Sequence, residues 1–404
     1  MTESASVSHA GSILAINGGS STLKFALFRD GAIPVRELSG SIDRIGSAEA
    51  TLTWAKERAA TVERRTVKAA DHVACIEPLV SCLGDGVVRN PLVAIGHRIV
   101  HGGRHYRTPQ LITPAVVKEL QRLRDYDPEH LPAEIALIEA LGQRYPHVSQ
   151  VACFDTAFHR DMPRIARLLP IPRRYEQLGL QRYGFHGLSY AFLMGELARV
   201  GAPHEAHGRV ILAHLGNGAS MAAVKDGKPV DTTMSFTPAS GLPMSRRSGD
   251  LDPGLVAYLA RTEGMSADQF HKMVNTESGL LGVSETSSDM RALLKQEQDD
   301  PRAAEAVALF CYQAKKWIGV LTAVLGGLDT LVFTAGIGEH SSVIRTRICE
   351  GLEFLGIGLD EQRNEAGEPV ISREGSKVTV RVMHTDEESE IARSVSELLG
   401  VPKR

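Results

Sequence analysis

Five cysteines in 404 residues, at positions 75, 82, 153, 311 and 349, is a low and scattered count, and no two form a C-x-x-C pair. The scatter gives no paired-thiol motif and reads as buried thiols of a reduced, cytoplasmic protein. No apolar run approaches the ~18 residues that a membrane-spanning helix requires. The opening MTESASVSHAGS lacks the apolar core of a secretory signal, so residues 1–11 are expected to form a flexible tail. A surplus of positive charge is also missing. The net charge of −3 gives no electrostatic case for a nucleic acid or an anionic membrane as partner. Any anion this chain binds must be held by a local site. There is no G-x-x-x-x-G-K-[ST] loop either, which excludes a Walker A phosphate cradle.

The chain does have glycine-rich turns set between apolar strands. SILAINGGSSTLKFALF, residues 12–28, runs apolar to Asn17, crosses Gly18, Gly19, Ser20, Ser21 and Thr22, and resumes as an alternating strand with Lys24 just past the turn. Small residues there let backbone N–H groups approach a phosphate, although a plain polar hairpin has the same pattern. Residues 209–232, RVILAHLGNGASMAAVKDGKPVDT, repeat the layout: strand, Gly216-Asn217-Gly218 turn, alternating strand, D-G turn. The repeated order indicates an internal duplication, and two such halves would leave a ligand cleft between them. LDTLVFTAGIGEHSSVIRTRICEGL, residues 328–352, adds a strand–glycine–helix unit suited to an anion or a nucleotide.

Length alone predicts two or three domains, and 43% hydrophobic with 23% charged residues is the balance of a globular protein. Strands such as PLVAIGHRIV and VSQVACF alternate with helical stretches, among them TPAVVKELQRL with its Thr113-Pro114 start and PAEIALIEALGQRYP. The alternation predicts an α/β protein with largely parallel sheets. Clustered prolines after Asp155 place a domain boundary near 155–170. PRAAEAVALFCYQAKKWIGVLTAVLGG reads as one long helix of core or interface.

Several residues could carry chemistry. Arg98 in GHRIVHGG and Arg247 in GLPMSRRSGDLDPG stand among glycines, where a guanidinium suits a carboxylate or phosphoryl group as well as a surface ion pair. His186 in YGFHGLS could donate to a transferring group or be a satisfied structural residue, and His130 and His214 carry the same two readings. Asp155 at a strand end and Glu387 in HTDEESE could hold Mg²⁺, which needs only one or two protein carboxylates. Glu387 is equally an acidic residue at a helix N-terminus.

Nine segments in order resemble the acetate kinase family, part of the superfamily of acetate and sugar kinases, heat-shock ATPases and actin. They are INGGSSTLKF, GHRIVHGG, FDTAFH, RYGFHGLS, HLGNGAS, FTPASGLPMSRRSGDLDPG, SGLLGVS, VFTAGIGEH and TDEESEIAR, and the resemblance as a whole runs from Ile13 to Arg393. The resemblance implies a duplicated actin-like (ribonuclease H-like) α/β two-domain fold with an active-site cleft between the domains. One lobe would comprise 12–157 and 386–404, with the C-terminal helix returning to it, and a nucleotide-binding lobe would comprise 158–385. It also implies reversible, in-line transfer of the ATP γ-phosphate to acetate, giving acetyl phosphate and ADP, in a cytoplasmic homodimer with Mg²⁺, or Mn²⁺ as the alternative. Propionate or another short-chain acid, or pyrophosphate as donor, are near alternatives. An actin-like ATPase or regulator is the alternative from another class.

By resemblance, Asn17 lies by the transferred phosphate and metal, and Lys24 faces the nucleotide phosphates. Arg98 holds the substrate carboxylate, with Val100, Phe185 and Pro238 around the acyl group. Asp155 takes the catalytic aspartate's part, while His186 and Arg247 stabilise the transition state. His214, Leu215, Gly216, Asn217 and Gly218, then Asp289, Met290 and Arg291, then Gly336, Ile337, Gly338, Glu339 and His340 line the ATP site, and Glu387 serves the metal. The chemistry agrees with this set. A carboxylic acid with a pKa of about 4.3 is already an anion at neutral pH, so the reaction needs positive charge and fixed donors, not a base. Asp155 is therefore expected to orient an arginine or a hydrated metal. The pattern departs from the family at Ser245 and Arg246 beside Arg247, at Glu129 and Leu131 near the acyl pocket, at Tyr190 in place of a usual histidine, and at His340 in place of a usual asparagine.

Overall fold

The computed structural model describes residues 11–19, 21–31, 33–57, 61–84 and 90–400. Residues 1–10 of the expected tail, and Ser20 of the opening turn, lie outside the described residues. The chain forms two compact units, one running through Ala157 and resuming at Asp386, the other Phe158–Thr385.

The first unit is built on an eight-stranded sheet of β1 (Ser12–Gly18), β2 (Thr22–Arg29), β3 (Val35–Asp43), β4 (Thr51–Lys56), β5 (Glu63–Thr66), β6 (Leu92–Ile99), β7 (Gln110–Leu111) and β8 (Ser149–Phe154). Their order is β5-β4-β3-β2-β1-β6-β8-β7. The second unit has β9 (Arg209–Leu215), β10 (Ala219–Lys225), β11 (Lys228–Thr232), β12 (Thr330–Thr334) and β13 (Thr379–Val382), in the order β11-β10-β9-β12-β13. The run β3-β2-β1-β6-β8 recurs as β11-β10-β9-β12-β13, with two antiparallel joints followed by two parallel ones. The duplication read from two hairpins thus extends to a five-strand core.

The expectation of largely parallel sheets is corrected. Only β1–β6, β6–β8, β9–β12 and β12–β13 are parallel. The connections among β1 to β5 are short, and a short connection returns the chain antiparallel, whereas a parallel neighbour needs a long crossover.

Side chains alternate across the first sheet. Leu14, Ile16, Leu23, Phe25, Leu27 and Ile95 face a core closed by Leu79 and Leu83 of the Ile76–Gly84 helix and by Leu137 and Leu141 of the Leu131–Arg144 helix. Gly96 points the other way, toward the Glu387–Leu398 helix. A Cβ there would lie 2.4 Å from Ile391 and 2.7 Å from Val395, so glycine is what lets this helix seat on β6. In the second unit Leu193 and Leu197 of the Gly187–Val200 helix pack on Val210, Leu212, Ala222 and Val332. The Pro301–Leu325 helix, one continuous element as its apolar spacing predicts, packs against β9, β10 and β11. Thr113 caps the Pro114–Arg122 helix as its sequence suggests. All five cysteines are buried thiols, and among the described residues no helix is long and apolar enough to cross a membrane.

Candidate active site

In the first unit the candidate residues gather at the C-terminal ends of the parallel strands β1, β6 and β8, the usual place for ligands in an open α/β sheet. Asn17 and Arg98 are the penultimate residues of β1 and β6, and Asp155 follows the last residue of β8. Arg98 Nη2 and Nε donate to Asp155 Oδ2 at 2.7 and 3.2 Å, and Nη1 donates to the Gly18 carbonyl at 3.1 Å and to Glu134 Oε1 at 3.4 Å. Asn17 Nδ2 donates to Glu387 Oε2 at 2.8 Å and to Glu388 Oε1 at 2.9 Å. Lys24, exposed on β2, pairs with Asn17 in the strand register.

The electrostatics of this cluster are dominated by carboxylates. Burial pushes the Glu387 carboxyl up to about 7, and the Asp155 charge adds to the rise against the opposing pull of Arg98. Burial likewise raises Glu134 to about 8, although Arg98 and the Val100 N–H favour its anion. For Arg98, burial works against the cation, but Asp155, Glu134 and Glu387 outweigh it and raise the pKa. Asp155 Oδ1 is buried and has no hydrogen-bond partner among the described residues. An orphaned carboxylate oxygen beside an acid held near neutrality marks a place short of positive charge. Among the described residues no group of three or more His, Cys, Asp or Glu forms a ready cage. This donor set therefore fits a hard divalent cation that keeps most of its water and takes one or two carboxylates.

The second unit offers donors instead. The β9–β10 turn is closed by Gly216 N donating to Gly218 O at 3.0 Å. A Cβ built on Gly218 would lie 3.0 Å from His186 Nε2 and 3.8 Å from Arg247 Nη1, so both side chains converge on this turn. His186 precedes the Gly187–Val200 helix with φ 56°, in the left-handed region that non-glycine residues seldom occupy. Its ring stacks on His214 with centroids 4.1 Å apart, and Nδ1 lies 2.8 Å from Ser220 Oγ. Arg247 Nη1 also donates to the Pro238 carbonyl at 3.4 Å.

The pairing of β12 with β9 sets Thr334 opposite His214, which brings the following turn alongside. A Cβ on Gly216 would be 3.4 Å from that of Ala335 and 3.8 Å from Gly336 N. Ala335 has φ 63°, and its N–H donates to Glu339 Oε1 at 2.8 Å. Glu339 thus turns its carboxylate inward, where His384 Nδ1 also meets it at 2.8 Å. Gly338 O and Glu339 O accept from the buried Arg345 at 2.9 and 2.8 Å. Gly336 and His340 are exposed and Ile337 is half-buried.

The remaining expected residues differ in burial. Leu215, Val100 and Phe185 are fully buried side chains, and Pro238 and Asn217 are not. Asp289 caps the Met290–Gln296 helix, accepting from Arg291 N and pairing with the Arg291 guanidinium, both at 2.8 Å, while Met290 is buried. Glu129 and Arg246, the two charges that depart from the family pattern, are exposed. Of the ambiguous histidines, His130 is buried with Nδ1 2.8 Å from Asp127 Oδ1, an arrangement that holds the start of its helix.

Sequence reading missed three residues. Glu134 touches both Arg98 and the Val100 N–H, and its signal was available: it falls on the apolar stripe of Leu131, Ile135, Ile138 and Leu141. Ser220 stands two residues beyond the second glycine turn. Glu388 shares Asn17 with Glu387, and no local pattern distinguishes it from an ordinary first-turn acid.

The model of the acetokinase family matches residues 12–393. The acetate kinase of Methylocella silvestris is 42% identical over 402 residues, covering 96% of this chain and 98% of that protein. The propionate kinase of Citrobacter rodentium is also 42% identical, over 392 residues, covering 95% and 96%. The crystal structure of Porphyromonas gingivalis acetate kinase superposes with a TM-score of 0.85 at 35% identity, covering 96% of this chain and all of that one.

Proposed function

The chain belongs to the acetokinase family, and from that premise we propose that it transfers the γ-phosphate of ATP reversibly to the carboxylate of acetate, giving acetyl phosphate and ADP. The observation that carries the reading is the meeting of Arg98, Asp155, Asn17 and Glu387, from four distant parts of the chain, at one end of one sheet. Acetate is already an anion, so the site has to supply charge and orientation. Arg98 presents its guanidinium to the carboxylate. Asp155 orients Arg98, a role supported by the two hydrogen bonds its Oδ2 accepts from that side chain. His186 and Arg247 donate to the phosphoryl oxygens as charge redistributes in the transition state. Backbone N–H groups of the Gly216–Gly218 turn and the Gly336 loop serve the nucleotide, with Lys24 at its phosphates. Glu387 and Asn17 would hold magnesium, with manganese the alternative, and the bound ion supplies positive charge to the phosphates. The orphaned Oδ1 of Asp155 supports a cation in that position.

The test is acyl-phosphate trapping with hydroxylamine, using two- to four-carbon acids with ATP or pyrophosphate as donor. Hydroxamate from acetate and ATP is the expected product. Preference for propionate would move the acid assignment, and product from pyrophosphate alone would move the donor. ATP turnover without any acid would overturn the kinase reading in favour of an actin-like ATPase.

We further infer a cytoplasmic homodimer. The Gly254–Thr262 helix buries none of its side chains and exposes Leu255, Val256 and Tyr258, and the Pro301–Leu325 helix exposes Leu309, Tyr312, Val320 and Val324. A second copy of the chain would cover such apolar surface. Light scattering on a Tyr258→Asp, Tyr312→Asp double variant should report monomer where the wild type reports dimer.

A further inference from the structure

We propose that Tyr190 and Ser220 fix the tautomer of His186, so that its Nε2, the nitrogen at the Gly218 turn, carries the proton offered to the phosphoryl group. The inference rests on the reading of His186 as a donor given above.

Two spacings create the arrangement. Tyr190 lies in the first turn of the helix that His186 precedes, and its N–H donates to the His186 carbonyl at 3.0 Å, which holds the two residues together. Ser220 is the second residue of β10, two positions past Gly218 of the turn. Ser220 Oγ is 2.8 Å from His186 Nδ1 and 2.5 Å from the Tyr190 hydroxyl oxygen. Tyr190 and Ser220 are both fully buried, where an unmade hydrogen bond is costly.

The chain of three groups can run in two directions. A serine hydroxyl has one proton, and a neutral imidazole has one donor and one acceptor nitrogen. In one direction Tyr190 donates to Ser220 Oγ, Ser220 donates to His186 Nδ1, and Nε2 bears the remaining N–H. In the other, Nδ1–H donates to Ser220, Ser220 donates to Tyr190, and Nε2 is left as a lone pair facing an anion. A phenol, with a pKa of about 10, is a better donor and a poorer acceptor than an alkyl alcohol. Tyr190 therefore selects the first direction, and Ser220 transmits that choice. No proton needs to move during turnover. The pair acts before the reaction, by having the donor already in place when charge develops. Ser220 touches His186 directly, and Tyr190 is a positioning residue acting through it.

Tyr190→Phe removes one oxygen and keeps the ring, and Ser220→Ala removes the link itself. On the full-length enzyme the expected result for Tyr190→Phe is a roughly ten-fold lower kcat. KM for ATP and for acetate should stay within about two-fold, because the group tuned acts in the transition state. Nitrogen-15 spectra of histidine-labelled protein should show the wild-type His186 as the Nε2–H form and both variants with added Nδ1–H signal. Should Tyr190→Phe fail to fold, Ser220→Ala gives the same two readouts. Wild-type kcat together with an unchanged His186 tautomer in a folded variant overturns the proposal. His186→Ala separates the two levels. If it abolishes turnover while Tyr190→Phe and Ser220→Ala match wild type in rate and tautomer, the relay alone is wrong. If His186→Ala turns over normally, the donor role falls and the relay with it.

Discussion

At the ends of β1, β6 and β8 the first unit crowds Asp155, Glu134 and Glu387 around one guanidinium, whereas at the corresponding ends of β9 and β12 the second unit presents glycine turns, two stacked imidazoles and Arg247. The five-strand core is laid out the same way in both. What differs is the chemistry loaded on it. One copy stores buried carboxylates that are stable only with counter-charges in place, and the other offers backbone N–H groups, imidazoles and a single guanidinium. Duplication supplied two equivalent positions, and side chains at the strand ends gave them opposite roles.

The largest expected effect tests the donor-bearing side. Arg247→Ala should lower kcat by on the order of 10³-fold or more, the scale of arginines in phosphoryl-transfer sites. Its melting temperature should stay close to wild type. Arg98→Ala should behave differently, because it leaves Glu134 and Asp155 buried without their cation. Breaking a buried pair this way costs about 3–5 kcal/mol, read as a lower urea midpoint along with lost acetate turnover. If Arg247→Ala were the more destabilising of the two, the contrast between units would break. Gly218→Ala comes next. Its methyl would sit 3.0 Å from His186 Nε2, tighter than ordinary contact, so the ring must shift by a few tenths of an ångström. About ten-fold in kcat is expected, with little change in stability.

The smallest effect concerns pH. Glu134 and Glu387 have folded-state pKa values raised from 4.5 to about 8 and about 7. A raised acid contributes stability that is complete below its unfolded value and lost as pH climbs through the folded one. The first unit should therefore lose stability between about pH 4.5 and 8. Glu134→Gln should flatten the upper part of that decline, by about 2–4 °C in melting temperature for each ~1 kcal/mol removed. A pH profile identical to wild type would show that Glu134 is not the strained acid. Added divalent cation should flatten the part due to Glu387.

Much of this was legible because it is local. Both hairpins, their glycine turns, the capped helix at Thr113 and the long helix from Pro301 each follow from a few adjacent residues. Asp155 at a strand end and Arg98 among glycines were visible for the same reason. The mixed sheet was not, since a continuous apolar run marks a strand buried on both faces, as in parallel β12 and antiparallel β10 alike, without naming the direction of its neighbours. Partners were harder still. Asn17 and Glu387 are 370 positions apart, and Glu387 is at once a first-turn helix acid and a ligand candidate, so sequence alone could not choose. Glu134 was readable as a polar break in an apolar stripe, but its contact with Arg98 was not. The inward turn of Glu339 depends on the left-handed Ala335, which no composition signals.

Gly96 has a consequence for how the protein is made. The helix it admits begins at Glu387, so the ribosome delivers the piece that covers β6 only after all of Phe158–Thr385 has emerged. The second unit is continuous in sequence and can fold during synthesis. The first must wait, with one sheet face bare and Asn17 lacking Glu387, until the last of those residues is added. A nascent chain stalled before position 386 should hold a folded second half attached to a first half that chaperones still recognise.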